Sequence, residues 1–452
     1  MSASVNRPMS TPELEDAVPT PVAPEAPAAS PSDPETGKAV FLAAATMGAN
    51  LVAVVFTVVF TRLLGANDYG SLAALLNLSV ILLVPGSALQ VVVVREATVG
   101  RLGRGGELAG TLARWSRHIL VGLAAIAAIS VIGRAPLADL INVRQEWGAA
   151  AVPVTGVMWL LLCVQRGLLQ SARAYREVGL SILLEAGGRL AVAVAFVSAG
   201  LGVTGAYLGT LASLALTAVA LAWLLRRRLG PPAPGARPHP LRALVRGAAL
   251  PIAALTLVAA LQNVDVIMAK HVLSETTAGV YAASTVAAKA VVWIAVGLGF
   301  WVLPEATRRA AAGGDPRPVL ARGLGVIAGL SACALTIFAV VPALLLRTAF
   351  GAEYESGADV LLTLGTAYSL LAVSYLCVQF QLGLHRRAFA LVLALMAVVE
   401  PLLLLGASDL AGFARTVLAV HAVTAVGLLA LSAARGATGA PPRSARGSAT
   451  SG

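Results

Sequence analysis

Charge is scarce in this chain: 12% of its 452 residues are Asp, Glu, Lys or Arg, while 58% are hydrophobic. A water-soluble domain carries charge on about a quarter of its residues, so the shortage excludes an ordinary soluble enzyme. Lysine is rarer still. Lys38, Lys270 and Lys289 are the three present, and the remaining 30 of 33 cations are arginines; with the abundance of alanine and glycine, this fits a GC-rich bacterial genome. Cysteine is equally sparse. Cys163, Cys333 and Cys377 each fall in an apolar run. Their spacing fits no metal site and membrane burial argues against disulfides, so they read as small buried hydrophobes. No nucleophile–base pair or phosphate-cradling loop is present, which argues against ATP-driven transport by this chain itself. The N-terminal segment lacks the basic start and apolar stretch of a cleaved signal peptide, so the first hydrophobic span is expected to insert the protein.

What the chain has instead is long apolar runs, several above the ~18 residues that mark a transmembrane helix. Twelve are counted, at 39–61, 71–94, 117–135, 148–170, 178–200, 203–225, 247–270, 278–303, 320–346, 358–383, 388–406 and 412–432. The expected fold class is an all-α polytopic membrane protein. Residues 1–38 hold eight prolines, six acids and two bases and are predicted to form a disordered tail; 435–452 form a second. The longest interior linker, at 226–246 and rich in Arg and Pro, divides the spans into six-helix sets at 39–225 and 247–434.

Lysine and arginine fix the orientation. With the N-terminus inside, 25 cations fall in inner segments and six in outer loops: Arg62, Arg134, Arg144, Lys270, Arg347 and Arg415. Positive charge accumulates on the cytoplasmic side, so both termini are expected in the cytoplasm, with the protein multi-pass in a bacterial cytoplasmic (inner or plasma) membrane. The same concentration of charge between spans accounts for the net charge of +11 without a nucleic-acid partner.

An internal repeat follows. The stretch "TRLLGANDYGSLAALLNLSVILLVPGSALQVVVVREAT" is echoed by "AKHVLSETTAGVYAASTVAAKAVVWIAVGLGFWVLPEAT". Gly70 opens the second span and Gly279 the eighth; "REAT" and "PEAT" then end the two copies in register, 25 residues from each glycine to Arg95 and Pro304. Arg62 and Lys270 occupy matching span ends. Both copies start from the inner side, so the repeats are parallel and their symmetry axis runs along the membrane normal.

These same residues carry a resemblance. "FTRLLGANDYGSLAAL" with "VVVVREA", then "NVDVIMAKHVLSETTAGVYAASTVAAK", "LPEATRRAAAGG" and "AFGAEYESGADVLLTLGTAY" resemble the Wzx-type oligosaccharide-lipid flippases of the MOP exporter superfamily, which also holds the MATE drug exporters. The resemblance runs from about residue 40 to 430. It implies two six-helix bundles forming a V around a central cavity, with alternating access. It also implies movement of polyprenyl-diphosphate-linked oligosaccharide between leaflets for cell-surface polysaccharide synthesis. Membrane lipids, the glycan carrier, glycosyltransferases and a polysaccharide polymerase would be the partners. Twelve spans depart from the fourteen usual in peptidoglycan-precursor members.

Such a task asks for cations at the diphosphate and for hydroxyl, amide or aromatic groups at the sugars. Tyr281, Thr285, Lys289 and Trp293 follow one another at i+4 steps in the eighth span, a stripe drifting about 40° per step. A charge at the depth of Lys289 costs ~2.5–3.5 kcal/mol even on the gentler insertion scale. That favours either a cavity position meeting phosphate, with Trp293 or Tyr281 under a sugar ring, or pairing with an acid on another helix. In the seventh span, "QNVDVIMAK" sets Gln262 and Asp265 on one face, with Asn263 beside them. Asp265 either pairs with Lys289, takes a proton or Na⁺ during the cycle, or joins an interhelical hydrogen-bond cluster worth ~0.6 kcal/mol per bond.

Lys270 and Arg62 have a gating or cavity role, or snorkel to the interface. Glu185 and Arg189 are four apart and are expected to neutralise each other or to face the cavity. Arg166, Gln170 and Arg173 share a face suited to anionic headgroups or substrate phosphate. Glu400, before Pro401, is a coupling site or a helix-interface acid. The candidate substrate contacts are therefore Arg62, Arg189, Lys270, Tyr281, Thr285, Lys289 and Trp293. The candidate coupling or cavity polar groups are Glu185, Gln262, Asn263, Asp265 and Glu400. No catalytic residue, metal site or cofactor is expected; coupling would be to a proton or Na⁺ gradient or to the membrane potential. The alternatives are a MATE-like drug or metabolite exporter and, more remotely, a membrane glycosyltransferase or polymerase, for which the outer loops are short and lack a paired-carboxylate motif.

Overall fold

The computed structural model describes residues 34–234 and 239–434; residues 1–33 of the tail expected at 1–38, the tail at 435–452 and the centre of the linker lie outside the described residues, while residues 34–38 are not tail but the first turn of a helix that continues into the first crossing. Among the described residues every regular element is a helix. The first half comprises α1 (Pro34–Thr98), α2 (Gly106–Ile132), α3 (Arg134–Leu140), α4 (Glu146–Ser171), α5 (Tyr175–Phe196) and α6 (Gly202–Leu229). The linker carries α7 (Leu241–Gly247), and the second half comprises α8 (Ala249–Val272), α9 (Glu275–Ala288), α10 (Ala290–Ala311), α11 (Arg317–Val340), α12 (Pro342–Ala349), a 3-10 turn (Ala352–Gly357), α13 (Ala358–Gly383), α14 (Phe389–Leu404) and α15 (Leu410–Ala433).

Two apolar stretches are too long for one crossing. Val40–Thr98 has 59 residues, about 88 Å of helix at 1.5 Å per residue, against a hydrocarbon core of ~30 Å. It breaks at Gly65, whose φ of 70° and ψ of 172° lie in a region open to glycine and strained for other residues. Tyr175–Leu229 has 55 residues and breaks at the Val197–Leu201 turn, with positive φ at Gly200 and Gly202. Counting each as two crossings, and adding the 16-residue apolar helix Phe389–Leu404, gives the twelve crossings that the sequence indicates. The eighth is not continuous. It is built of α9 and α10, which meet at Lys289. α2 begins at Gly106 rather than at 117, and the linker carries α7, because hydropathy marks the bilayer and not where hydrogen bonding ends a helix.

In the first half, α1 packs against α4, α5 and α6; in the second, α13 packs against α10, α11 and α15. The short α7 docks on the first half: Leu244 is buried in the cluster with Leu89, Trp115 and Leu168, and Leu241 packs beside it. The linker is fixed there too. Trp115 Nε1 donates to the His239 carbonyl at 2.6 Å and Ala233 N donates to the Gly106 carbonyl at 3.0 Å.

At the end opposite the linker, the halves are joined by an exchange of loops. The α3 loop of the first half reaches the α8–α9 turn of the second. His271 Nε2 lies 2.9 Å from the Leu140 carbonyl, Asn142 donates to the Lys270 carbonyl, and Arg144 pairs with Glu275 at 2.8 Å. The α12 loop of the second half reaches the Gly65 turn of the first. Arg62 donates to the Thr348 carbonyl at 2.8 Å and Tyr354 to the Thr61 carbonyl at 3.1 Å. Between them, Thr276 Oγ1 donates to Asn67 Oδ1 at 2.6 Å. The sequence repeat thus extends to the loops: each half's loop after its third crossing clasps the other half's first turn.

This seam encloses the helices it joins. Residues 69–75 of α1 and 278–285 of α9 are buried on every face. Further toward the linker, both helix lines become exposed, at Val80, Leu82, Ser87, Val91 and Arg95 of α1 and at Ala290, Trp293, Ile294, Gly297 and Trp301 of α10. The halves are therefore bound at one end and present open faces toward the other.

Candidate functional site

Where the buried seam gives way to the open faces sits Lys289, 6% exposed. Its Nζ donates to Asn77 Oδ1 at 2.9 Å and to Asn263 Oδ1 at 3.4 Å, and lies 5.3 Å from the centroid of the Tyr368 ring. Asn77 belongs to the first half and Asn263 to the second, so the ammonium bridges the two. Both amides are oriented by their own helices. Asn77 Nδ2 donates to the Ala73 carbonyl and Asn263 Nδ2 to the Ala259 carbonyl, each at 2.7 Å and four residues back, which turns each oxygen toward the lysine. Amide dipoles and a ring face surround the amine, and among the described residues no carboxylate pairs with it.

Asp265 was a sequence-level candidate partner for Lys289, but its carboxylate is directed elsewhere. Oδ2 accepts from Tyr281 Oη at 2.6 Å and from Tyr368 Oη at 2.5 Å, while Oδ1 has no partner. The reason is position on α8: Asn263 faces the seam, and Asp265, two residues on, faces the interior of the second half. Behind it lie Glu400 and His421, both fully buried, with His421 Nε2 3.6 Å from Glu400 Oε1. Neither Glu400 oxygen has a hydrogen-bond partner. The two His421 nitrogens face carbonyl oxygens, Ala367 at 3.1 Å and Leu261 at 3.2 Å. A neutral imidazole has one N–H and satisfies one of them; the protonated ring satisfies both and opposes Glu400. Asp265, Tyr281, Tyr368, Glu400 and His421 thus form a fully buried polar cluster one layer behind Lys289, tied to it by Tyr368.

The first half holds a separate charged group. Glu185 pairs with Arg166 at 3.2 Å, not with Arg189 four residues away. Arg166 Nε also donates to Ser181 Oγ and Nη2 to the Ser181 carbonyl, both at 3.0 Å, so a planar fork on α4 finds three acceptors on α5. Its guanidinium carbon lies 5.5 Å from the Trp159 ring centroid, and Trp159 Nε1 donates to Ser87 Oγ at 3.0 Å. Arg189 is left over the Phe56 ring at 5.1 Å with its Nε unpartnered.

The other candidates are scattered. Arg62 and Lys270 belong to the seam, the latter 5% exposed. Thr285 donates to the Ala282 carbonyl of its own helix at 2.7 Å. The i+4 spacing does continue past Lys289, whose carbonyl accepts from Trp293 N at 3.3 Å, but Tyr281, Thr285 and Lys289 are buried while Trp293 is 44% exposed. Gln262 is half-buried. Sequence reasoning passed over Asn77, Tyr368 and His421. A histidine in the middle of a span was the clearest signal of the three, since intramembrane ionisable residues are rare; one amide and one tyrosine in apolar runs carry little.

Among the described residues no cluster suits a metal ion. No family model matches the sequence, and no curated protein matches it. Solved structures do match over nearly the whole chain. A multidrug resistance MATE family transporter of the MOP superfamily in an inward-facing conformation aligns with TM-score 0.68 at 12% identity, covering 87% of this chain and 97% of that one. A multidrug resistance MATE family transporter of the MOP superfamily in an outward-facing conformation aligns with TM-score 0.55 at 15% identity, covering 89% and 96%. A Vibrio cholerae MATE transporter aligns with TM-score 0.54 at 16% identity, covering 88% and 97%. The chain has the MATE-type fold, a multi-pass bundle of about twelve crossings in two parallel halves.

Proposed function

We propose that this chain is an alternating-access exporter that moves a polyprenyl-diphosphate-linked oligosaccharide across a bacterial cytoplasmic membrane for cell-surface polysaccharide synthesis. The observation that carries the reading is Lys289, a bridging ammonium held by one neutral amide from each half and by no carboxylate. It is pre-aimed by the two amides, which an anionic headgroup would replace. No bond need be made or broken. The carrier's apolar tail stays in lipid while the diphosphate passes between the halves.

The positive-inside excess makes the linker end cytoplasmic, so the described state has its outer seam closed and its inner faces open. The closer fit to the inward-facing transporter agrees. Lys289 then sits at the closed end of an inward vestibule. Movement of substrate requires the Asn77 contact to part, since it spans the halves. The pocket of Asp265, Glu400 and His421 is the proposed coupling site, where uptake or release of a proton or Na⁺ changes the charge facing Tyr368 and, through it, Lys289. Glycosyltransferases and a polysaccharide polymerase supply and consume such a substrate.

One observation favours a second reading, a MATE-like exporter of organic cations: Glu400 and Asp265 Oδ1 are unpartnered buried carboxylate oxygens, which a cation would satisfy. The test is reconstitution into vesicles with a fluorescent polyprenyl-diphosphate sugar, scored for transfer between leaflets. Transfer should fall about tenfold, worth ~1.4 kcal/mol, in Lys289→Ala. Full transfer by that variant, or accumulation of a lipophilic cation in place of the sugar lipid, would overturn the first reading.

A further inference from the structure

Far from the seam, on the side of the first half that α2 covers, runs a groove of about 960 Å³ between α2 and α6 with α4 as its floor. Its walls are Leu112, Leu120 and Ala124 of α2, Met158 and Leu161 of α4, and Ala215, Val219 and Ala222 of α6. Leu120 and Val219 are 48% and 68% exposed, so the groove opens sideways to the bilayer. Gly230, Pro231 and Pro232 line its linker end, where the Ala233–Gly106 hydrogen bond closes the backbone across it.

Two cations stand in the lining near that end, Arg117 and Arg226. Both are exposed, and neither makes an ion pair or hydrogen bond among the described residues. Other arginines of the same end are engaged: Arg227 lies 3.7 Å from the Trp223 ring centroid and Arg228 pairs with Glu177. From Arg226 to Ala215 the groove runs about 16 Å along α6 at 1.5 Å per residue. One leaflet's hydrocarbon is ~15 Å deep, half of ~30 Å. The length suits a chain of a lipid that belongs to the leaflet at the linker end.

We propose that this groove binds one anionic phospholipid from that leaflet, its phosphate between Arg117 and Arg226 and an acyl chain along the wall toward Ala124 and Ala215. Guanidinium groups match phosphate oxygens in geometry and charge, and basic pockets between membrane helices serve this purpose elsewhere. The site is separate from the seam and from Lys289 and does not depend on the transport reading. Gln165 tests how the floor is used. It is 2% exposed, donates to the Ala218 carbonyl at 3.1 Å and leaves Oε1 unpartnered. Hydrocarbon offers that oxygen nothing, so Gln165→Leu retains or tightens binding; a ligand with a hydroxyl there would bind the variant more weakly.

The test is native mass spectrometry and thermal unfolding of the purified full chain with phosphatidylglycerol, phosphatidylcholine or inorganic phosphate. Phosphatidylglycerol should remain bound and raise the unfolding temperature, and phosphatidylcholine should bind at least about fivefold more weakly, ~1 kcal/mol. Arg117→Gln with Arg226→Gln should remove that preference, and Ala222→Phe should exclude both lipids while the arginines remain. Equal binding of the two lipids would overturn the proposal. So would stabilisation by inorganic phosphate alone, undiminished binding in Ala222→Phe, or weaker binding in Gln165→Leu.

Discussion

Gly70 and Gly279, which open the matching copies of one sequence motif, meet each other across the seam. A methyl group added to Gly70 would lie 3.0 Å from the Gly279 nitrogen, and one added to Gly279 would fall inside the contact radius of the Ala66 carbonyl oxygen. The two repeats therefore touch at the glycines that open their matching spans, where no side chain stands in the way.

Gly279→Ala is expected to loosen the seam, because backbone must move to admit the methyl group. Gly70→Ala, a tight contact relieved by a few tenths of an ångström, should act more weakly. A cysteine at Ser71, with the exposed Cys333 changed to serine, reports on the opening. Its labelling by an impermeant maleimide should accelerate at least about threefold in Gly279→Ala, ~0.7 kcal/mol. Unchanged labelling would show that the seam tolerates the displacement.

The two amides on Lys289 should be separable. Asn77→Leu and Asn263→Leu each remove a hydrogen bond to a charged group, worth about 1.5–3 kcal/mol. Asn77 reaches from the other half, so its loss should also speed labelling at Ser71→Cys. Asn263 shares the lysine's half, so its loss should lower the unfolding temperature and leave labelling alone. Identical labelling in the two variants would place both amides on one side of the moving interface.

Tyr281 and Tyr368 donate to one oxygen of Asp265. Replacing either by phenylalanine leaves the carboxylate one donor and should cost about 1–3 kcal/mol. The double variant should exceed the sum by at least about 0.5 kcal/mol, as expected for partners of one atom. Strict additivity in thermal unfolding would mean that the two hydroxyls do not share Asp265.

Arg166 and Glu185 are a nearly enclosed ion pair, with side chains 4% and 15% exposed. Arg166→Met alone should destabilise by roughly 3–5 kcal/mol, because it strands a buried carboxylate. Adding Glu185→Leu should recover most of that loss. A double variant as unstable as the single one would assign the effect to lost packing against Trp159 instead.

The crossings were legible because hydrocarbon imposes length and composition on each helix separately. The repeat was legible because both copies keep glycine and charge at the same offsets. The site was legible only in part. Lys289, Asn263, Asp265, Tyr281 and Glu400 are anomalies in apolar runs and can be picked out singly. Their pairing cannot be, since Glu185 and Arg189 are one turn apart yet the acid bonds to Arg166 on α4. Nearness along a helix makes a contact available, and the direction of the neighbouring helix decides whether it forms.

Composition and periodicity by themselves determined that this chain is a membrane bundle of two related halves, with polar groups set singly in several of its crossings. Each of those properties follows from the free energy of placing one residue or one helix in lipid. Only the tertiary structure decided that the halves clasp each other's turns at one end and that Lys289 rests on amides rather than on Asp265. Only it placed the unpaired arginines beside a groove. These depend on how helices distant in sequence are rotated and packed, and that is fixed by the summed contacts of all of them.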